Sequence, residues 1–198
     1  MFSSRVFSRP MLVCRKLARR GFVSRFVSRT TSLAFRSGSV HNRRHVGGSM
    51  LTRVEYSITV PVPVDAAFLA FQNFERLLHR GIYDQASWVE GKPWQVGSRV
   101  HYVVARPVKT TISAVVTSIS APRAISLLNH ALGVTAEQHV SFGPDLKGGT
   151  RVRMAMDLIG KSSELSEAAL HEAVTFLIKD ALDSLVAFCQ RGASSATG

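Results

Sequence analysis

Few side chains of this sequence are placed to bind or transform a small molecule, and the most distinctive are three polar residues among apolar neighbours. Strand-like alternation puts Tyr102, Asn129 and Gln138 on the apolar sides of three segments. A buried hydroxyl or amide needs a hydrogen-bond partner, and in an apolar cavity it can orient a ligand or hold a water. These positions also suit ordinary core or rim residues, so both interpretations stay open.

Sequence patterns for catalysis or metal binding are not found. The chain contains no glycine-rich phosphate loop, no His-Glu-x-x-His and no Cys-x-x-Cys. His130 and His139 lie on neighbouring predicted strands and form a conceivable proton-transfer pair, although alternation favours two solvent-facing side chains. Glu167 and His171 lie one helical turn apart, which is more typical of a surface pair than of metal ligands. We therefore expect no catalytic residue, no metal site and no cofactor.

The elements that position these side chains follow a simple order of one strand, two short helices, a run of strands and one long helix. Alternation predicts a first strand over residues 54–60. Helical spacing then places Phe68 on the apolar face of a first short helix, and a second short helix is expected over residues 74–79. The strands that follow are predicted over residues 85–90, 99–105, 110–119, 124–130, 134–142 and 150–159.

The long helix is predicted to begin at Ser163, its N-cap, and to run to about Gln190, with Gly192 as its stop. No strand–helix–strand alternation appears, which favours an antiparallel sheet whose apolar face needs a cover. The helix is the only predicted element large enough to supply that cover. Besides the three polar residues, the walls of the space between sheet and helix are expected to include Phe68, Met154, Met156 and Leu177, with Trp94 at its mouth.

Short motifs in this order resemble the START/Bet v 1-like (SRPBCC) superfamily, in particular its polyketide cyclase/dehydrase-like members. The resemblance covers residues 54–190 and implies an α+β helix-grip fold. In that fold a curved antiparallel sheet wraps around a long C-terminal helix, and two short helices follow the first strand. The matching motifs are VPVPVDAAF at residues 60–68, NFERL at 73–77, WQVGSRV at 94–100, APR at 121–123 and GGTRV at 148–152.

The resemblance also implies a function, the binding of an apolar small molecule in a cavity between the sheet and the C-terminal helix. A carrier or sensor of a lipid, polyketide, quinone or aromatic metabolite is the favoured interpretation. One alternative is a polyketide cyclase/dehydrase-type enzyme in which Tyr102, Asn129 or Gln138 positions a carbonyl. Another is a protein-interaction module without a ligand. Because the superfamily has no universal catalytic residue, membership does not supply a reaction.

The formal charge of +12 belongs to the first part of the chain. Twelve of the 25 Lys and Arg residues precede Glu55, the first acidic residue, and the remaining residues are formally neutral. We therefore expect no nucleic-acid partner. No apolar run reaches the roughly 18–20 residues that span a bilayer, so no integral membrane segment is expected either. Cys14 and Cys189 are expected to be free thiols in a reducing compartment.

Composition divides the chain into three parts: residues 1–49, a domain over 50–191 and a tail over 192–198. Residues 1–49 are rich in Arg and Ser and are expected to be disordered, as is the tail. The first part is interpreted as a mitochondrial transit peptide, as translated sequence upstream of a true start at Met50, or as a basic arm that binds RNA or anionic lipid. The location is then the mitochondrial matrix for a transit peptide, or the cytoplasm for a start at Met50.

Overall fold

The structure has the predicted order of elements, with one additional short strand, at residues 44–46, before the predicted first strand. A computed structural model of the chain describes residues 44–46 and 49–194, with side chains over 52–191. Its elements are β1 (Arg44–Val46), β2 (Ser49–Val60), α1 (Val64–Gln72), α2 (Glu75–Leu78), β3 (Tyr83–Glu90), β4 (Arg99–Val104), β5 (Thr110–Ser120), β6 (Ala124–Ala131), β7 (Val134–Pro144), β8 (Thr150–Ile159) and α3 (Glu167–Ser194).

One antiparallel sheet contains all the described strands, in the order β1-β2-β8-β7-β6-β5-β4-β3. From β3 to β8 each strand pairs with the next along the chain, as short connections favour, while β2 closes the sheet against β8 with Val54 opposite Met156. The sheet curves around α3, and α1 and α2 follow β2. The predicted α+β helix-grip architecture is therefore confirmed.

The boundaries of α3 differ from the prediction at both ends. The hydroxyl of Ser166 accepts a hydrogen bond from the Ala169 backbone N–H at 3.2 Å, so Ser166 rather than Ser163 occupies the capping position. At the other end the helix continues through Gly192 to Ser194. A glycine permits a helix stop but does not impose one, because its backbone also adopts helical angles.

Helix α1 packs against the sheet through its aromatic side chains. Phe68 and Phe71 are buried, and the edge of each ring approaches Phe142 of β7, with ring centroids 5.4 and 5.6 Å apart. The helix begins directly after Pro63, whose fixed backbone angle suits this position. At the β7–β8 junction, the Thr150 hydroxyl donates to the Val62 carbonyl oxygen at 2.7 Å, which ties the entry of α1 to the sheet.

The core lies between the concave face of the sheet and α3, and it is closed at one end only. Ile178, Leu182 and Leu185, from the middle of α3 onward, are fully buried against the sheet. Leu170 and Leu177, on the same stripe toward the helix start, remain half-buried. The first half of α3 is therefore packed less closely against the sheet, which leaves a space beneath it.

Several sequence predictions concern residues that the structure does not describe. Residues 1–43, including Cys14, and residues 195–198 lie outside the described ranges. Within the described ranges, Cys189 is a buried free thiol. None of the helices over 44–46 and 49–194 combines the length and apolar character needed to cross a bilayer.

Candidate ligand-binding site

A cavity of about 120 Å³ lies in the space between the sheet and the first half of α3. The strands from β3 to β8 contribute side chains to its wall, and α1, α2 and α3 close it from the other side. Most of the wall is apolar. The β4–β5 loop, the β6–β7 turn and the segment before α3 also contribute to the wall, through Pro107, Val108, Leu132 and Leu165, and Pro107 among them is exposed.

Six of the eight residues predicted to line a cavity lie in this wall, which they form together from five different elements. The alternation of β4, β6, β7 and β8 turns their inward residues toward the helix, and the apolar stripe of α3 faces the strands. These six residues are Tyr102, Asn129, Gln138, Met154, Met156 and Leu177.

Phe68 and Trp94, the other two residues expected to line a cavity, lie outside this wall. Phe68 points from α1 toward Phe142, and Phe71, one turn later, occupies the wall position instead. Trp94 lies in the β3–β4 loop. Its Nε1 donates to the Gln72 carbonyl oxygen at 3.0 Å, which holds the indole against the end of α1.

Asn129 and Gln138 form a hydrogen-bonded amide pair in the apolar wall. Asn129 Nδ2 donates to Gln138 Oε1 at 3.1 Å and to the Ala136 carbonyl oxygen at 3.3 Å. Gln138 Nε2 in turn contacts the Met154 sulfur at 3.6 Å. These contacts satisfy most of the buried amide groups, as a low-dielectric site requires. Among the described residues, the Asn129 Oδ1 atom has no hydrogen-bond partner, which leaves it available as an acceptor.

Arg76 of α2 is a wall residue that the sequence analysis missed. Its Nε donates to the Phe71 carbonyl oxygen at 3.1 Å and its Nη1 to the Ala181 carbonyl oxygen at 2.7 Å. The guanidinium carbon also lies 4.5 Å from the centroid of the Phe71 ring. Burial lowers the pKa of Arg76 to about 10, so the side chain remains a cation at neutral pH. A cation therefore lies in a wall that is mostly apolar.

Tyr102 and Tyr83 accompany Arg76 at this part of the wall. Their ring centroids are 6.2 Å apart, and the charge states of both hydroxyls affect the pKa of Arg76. Burial raises the pKa of each tyrosine, so both remain protonated donors at neutral pH. Within residues 52–191, neither hydroxyl has a hydrogen-bond partner. Both are thus available to a bound molecule.

Comparisons with known proteins place this arrangement in a known fold. No protein-family model matches the chain, and no curated protein matches it either. Among solved structures, Ara h 8.0201, a Bet v 1 family allergen, matches with a TM-score of 0.58 and 12% identity over 71% of this chain and 99% of its own. The chain has the Bet v 1-like helix-grip fold. Two bacterial proteins agree with this assignment.

The first bacterial match is an uncharacterized protein from Rhizobium leguminosarum, with a TM-score of 0.57 and 15% identity over 73% of this chain and 97% of its own. The second is a protein from Chromobacterium violaceum, with a TM-score of 0.54 and 12% identity over 69% of this chain and 96% of its own. At these identities the likeness is one of fold. The matches identify no ligand, so any proposal about one rests on this chain's own residues.

A second depression of about 240 Å³ adjoins the cavity of this Bet v 1-like domain. Leu158, Leu165 and Leu170 line both spaces and therefore stand between them. Polar residues contribute to the outer side, including Lys161 and Glu167. The partition consists of flexible apolar side chains, and two of the three are only half-buried.

None of the histidines within residues 52–191 lines the cavity. His130 Nδ1 bonds with the Thr135 hydroxyl, and His139 Nδ1 with the Ser126 hydroxyl, each at 3.0 Å on the exposed face of the sheet. The interpretation of both as solvent-facing side chains is confirmed.

Arg76 could have been found only from its place in the NFERL motif, because a four-residue helix is too short to define a buried face by periodicity.

Proposed function

We propose that this Bet v 1-like domain binds an apolar small molecule in the cavity beneath α3, as a carrier or sensor. The observation that carries the proposal is the cavity itself. A space of about 120 Å³ remains open beside the start of α3, although the same helix is tightly packed against the sheet at Leu182 and Leu185. Protein interiors are otherwise close-packed, with few voids larger than a water. An apolar wall with a few well-placed polar groups is typical of small-molecule sites.

The size of the cavity favours a ligand with an apolar body of about one aromatic ring. An engineered apolar cavity of about 150 Å³ binds benzene, and the present cavity is slightly smaller. Among the ligand classes expected from the sequence, an aromatic metabolite fits best. A lipid, polyketide or quinone requires Leu165 and Leu170 to move, so that the cavity joins the adjoining depression.

The wall side chains favour binding over proton transfer. Met154 and Met156 provide a flexible, polarizable surface that adapts to ligand shape. Tyr102 and Arg76 both remain protonated at neutral pH, and a group whose pKa lies far from the working pH is a poor general acid or base. These groups are better suited to hold and orient a ligand, which supports the carrier or sensor interpretation.

The test compares two substitutions on α3 with full-length protein. Ala173 lines the cavity and Ala168 is exposed on the same helix, so Ala173→Leu fills the space while Ala168→Leu leaves it open. Both variants make the same change on the same helix. Because Ala and Leu have similar helix propensities, neither change should disturb the helix itself. Benzene, indole and naphthalene serve as probes, and backbone amide NMR shifts and the melting temperature are recorded.

We expect at least one probe to shift amide signals around the cavity and to raise the melting temperature of the wild type and of Ala168→Leu. At a free probe concentration of 100 times the Kd, mass action gives about 2.7 kcal/mol of stabilisation. Ala173→Leu should abolish both effects. The proposal fails if none of the three probes affects the wild type, or if Ala173→Leu responds as strongly as Ala168→Leu.

A further inference from the structure

The cavity wall contains a buried cation without a directly paired carboxylate. Arg76 is only 3% exposed, and no aspartate or glutamate within residues 52–191 forms an ion pair with it. Asp180, the acidic residue that acts on it electrostatically, is itself paired with Arg80. These three groups sum to one positive charge. A charge in an apolar site is unfavourable unless an opposite charge or hydrogen bonds compensate for its lost hydration.

The hydrogen-bond donors of this part of the wall are only partly used. Nε and Nη1 of Arg76 are occupied by backbone carbonyls, whereas Nη2 has no partner in the part of the chain that the structure describes. The hydroxyls of Tyr83 and Tyr102 are likewise unpartnered there, and all three side chains line the cavity. Each of these groups can donate to an acceptor that enters the cavity.

We infer that the ligand carries an anionic head group of the carboxylate type, which pairs with Arg76 while its apolar body fills the space toward Leu177 and Met156. This inference rests on the proposed binding function. A carboxylate supplies the missing negative charge and accepts hydrogen bonds from Nη2 and from a tyrosine hydroxyl. A neutral head group leaves Arg76 without a directly paired anion, and an ammonium group adds a second positive charge beside it.

The first arm of the test uses three probes with one apolar body and different head groups. These are 3-phenylpropanoate, 3-phenylpropanol and 3-phenylpropylamine, titrated into full-length protein at pH 7 and followed by amide NMR shifts. We expect the acid to bind at least ten-fold more tightly than the alcohol, and the amine more weakly than the alcohol. If the alcohol binds as tightly as the acid, the inference is overturned and the proposed function stands. If none of the three binds, while benzene, indole and naphthalene do, the inference alone is overturned.

The second arm removes the cation. Arg76→Met should reduce the acid-to-alcohol preference to about one, and Arg76→Lys should retain a preference for the acid. Arg106→Met is the matched control, because Arg106 also donates to backbone carbonyls, of Arg80 and Gly81, but is exposed and outside the cavity wall. That variant should keep the wild-type preference. A preference that persists in Arg76→Met, or that Arg106→Met lowers equally, overturns the inference. If Arg76→Met does not fold, the wild-type ratio and Arg76→Lys decide.

Discussion

The Nη1 atom of Arg76 donates a hydrogen bond of 2.7 Å to the carbonyl oxygen of Ala181, which joins the four-residue helix α2 to the middle of α3. The Nε atom of the same side chain donates to the Phe71 carbonyl oxygen in the last turn of α1. One buried guanidinium therefore connects all three helices beside the cavity. Such a short helix has little stability of its own, so its position depends on these contacts.

Replacing Arg76 with methionine should therefore destabilise the protein by about 3 kcal/mol, because two charge-assisted hydrogen bonds are lost and both carbonyls lose a donor. Arg76→Lys should lose less, since one ammonium can still reach one carbonyl. Urea denaturation at pH 7 measures both changes. A loss below about 1 kcal/mol for Arg76→Met would contradict the structural role of this side chain.

The amide pair in the cavity wall should show energetic coupling. Removal of Asn129 leaves Gln138 Oε1 without its donor, and removal of Gln138 leaves Asn129 Nδ2 with only its bond to the Ala136 carbonyl oxygen. The variants Asn129→Ala, Gln138→Ala and their combination form a double-mutant cycle, and we expect a coupling energy of about 1 kcal/mol. Equilibrium denaturation supplies the four free energies of unfolding. Strictly additive losses would show that the two amides do not interact.

Two adjacent glycines before β8 should differ sharply in their tolerance of a side chain. Gly148 and Gly149 both have positive φ angles, of 89° and 86°, so alanine is strained at either position. A Cβ atom at Gly149 would also collide with the Val60 carbonyl oxygen, whereas one at Gly148 meets nothing within 4 Å. We expect Gly148→Ala to cost about 1 kcal/mol and Gly149→Ala at least about 2 kcal/mol more. Thermal unfolding of the two variants measures the difference, and equal losses would contradict the close approach of β2.

Glu55 should contribute stability at neutral pH that is lost in acid. The hydrogen bonds from Arg153 at 2.5 and 2.6 Å, supported by Arg53, hold the pKa of Glu55 below its usual range despite partial burial. The pKa of Glu55 is lower in the folded state than its ordinary value of 4.5. The stabilisation is therefore fully present above pH 4.5 and is lost as the pH falls through the folded-state pKa.

Glu55→Gln should therefore be less stable than the wild type by about 1 kcal/mol at pH 7, with the difference shrinking below pH 4.5. Urea denaturation at pH 7 and pH 3 tests this dependence. Glu90→Gln is the control, because Glu90 and Arg99 are both exposed and 3.7 Å apart, and it should cost less than about 0.5 kcal/mol. A difference for Glu55→Gln that is the same at both pH values would contradict the prediction.

Much of the cavity could be predicted from single strands, because side chains alternate between the two faces. Once the apolar face of β4 or β7 is recognised, Tyr102 or Gln138 is assigned to the inside without knowledge of any other element. The contact between Asn129 and Gln138 follows from the pairing of β6 with β7, which the short turn between them enforces. The inward assignments depend only on local geometry and on neighbours in the chain.

The residues that were misplaced or missed are those whose position depends on packing between distant elements. Phe68 and Phe71 both lie on the apolar face of α1, and only the docking of α1 on β7 decides that Phe71 faces the cavity. Trp94 is held by a hydrogen bond to the end of α1, across 22 residues. Arginine is usually a surface residue. Arg76 is nevertheless buried, because the carbonyl oxygen of Ala181, 105 positions later in the chain, accepts a hydrogen bond from it.

The sequence by itself determined the class of elements, their order and the inward faces of the strands, because these follow from periodicities of two and 3.6 residues and from short connections. Only the tertiary structure decided where the space beneath α3 remains open and that a cation lies in its wall. Those features arise from contacts between segments far apart in the chain, and no local pattern records which distant carbonyl or ring a side chain will meet.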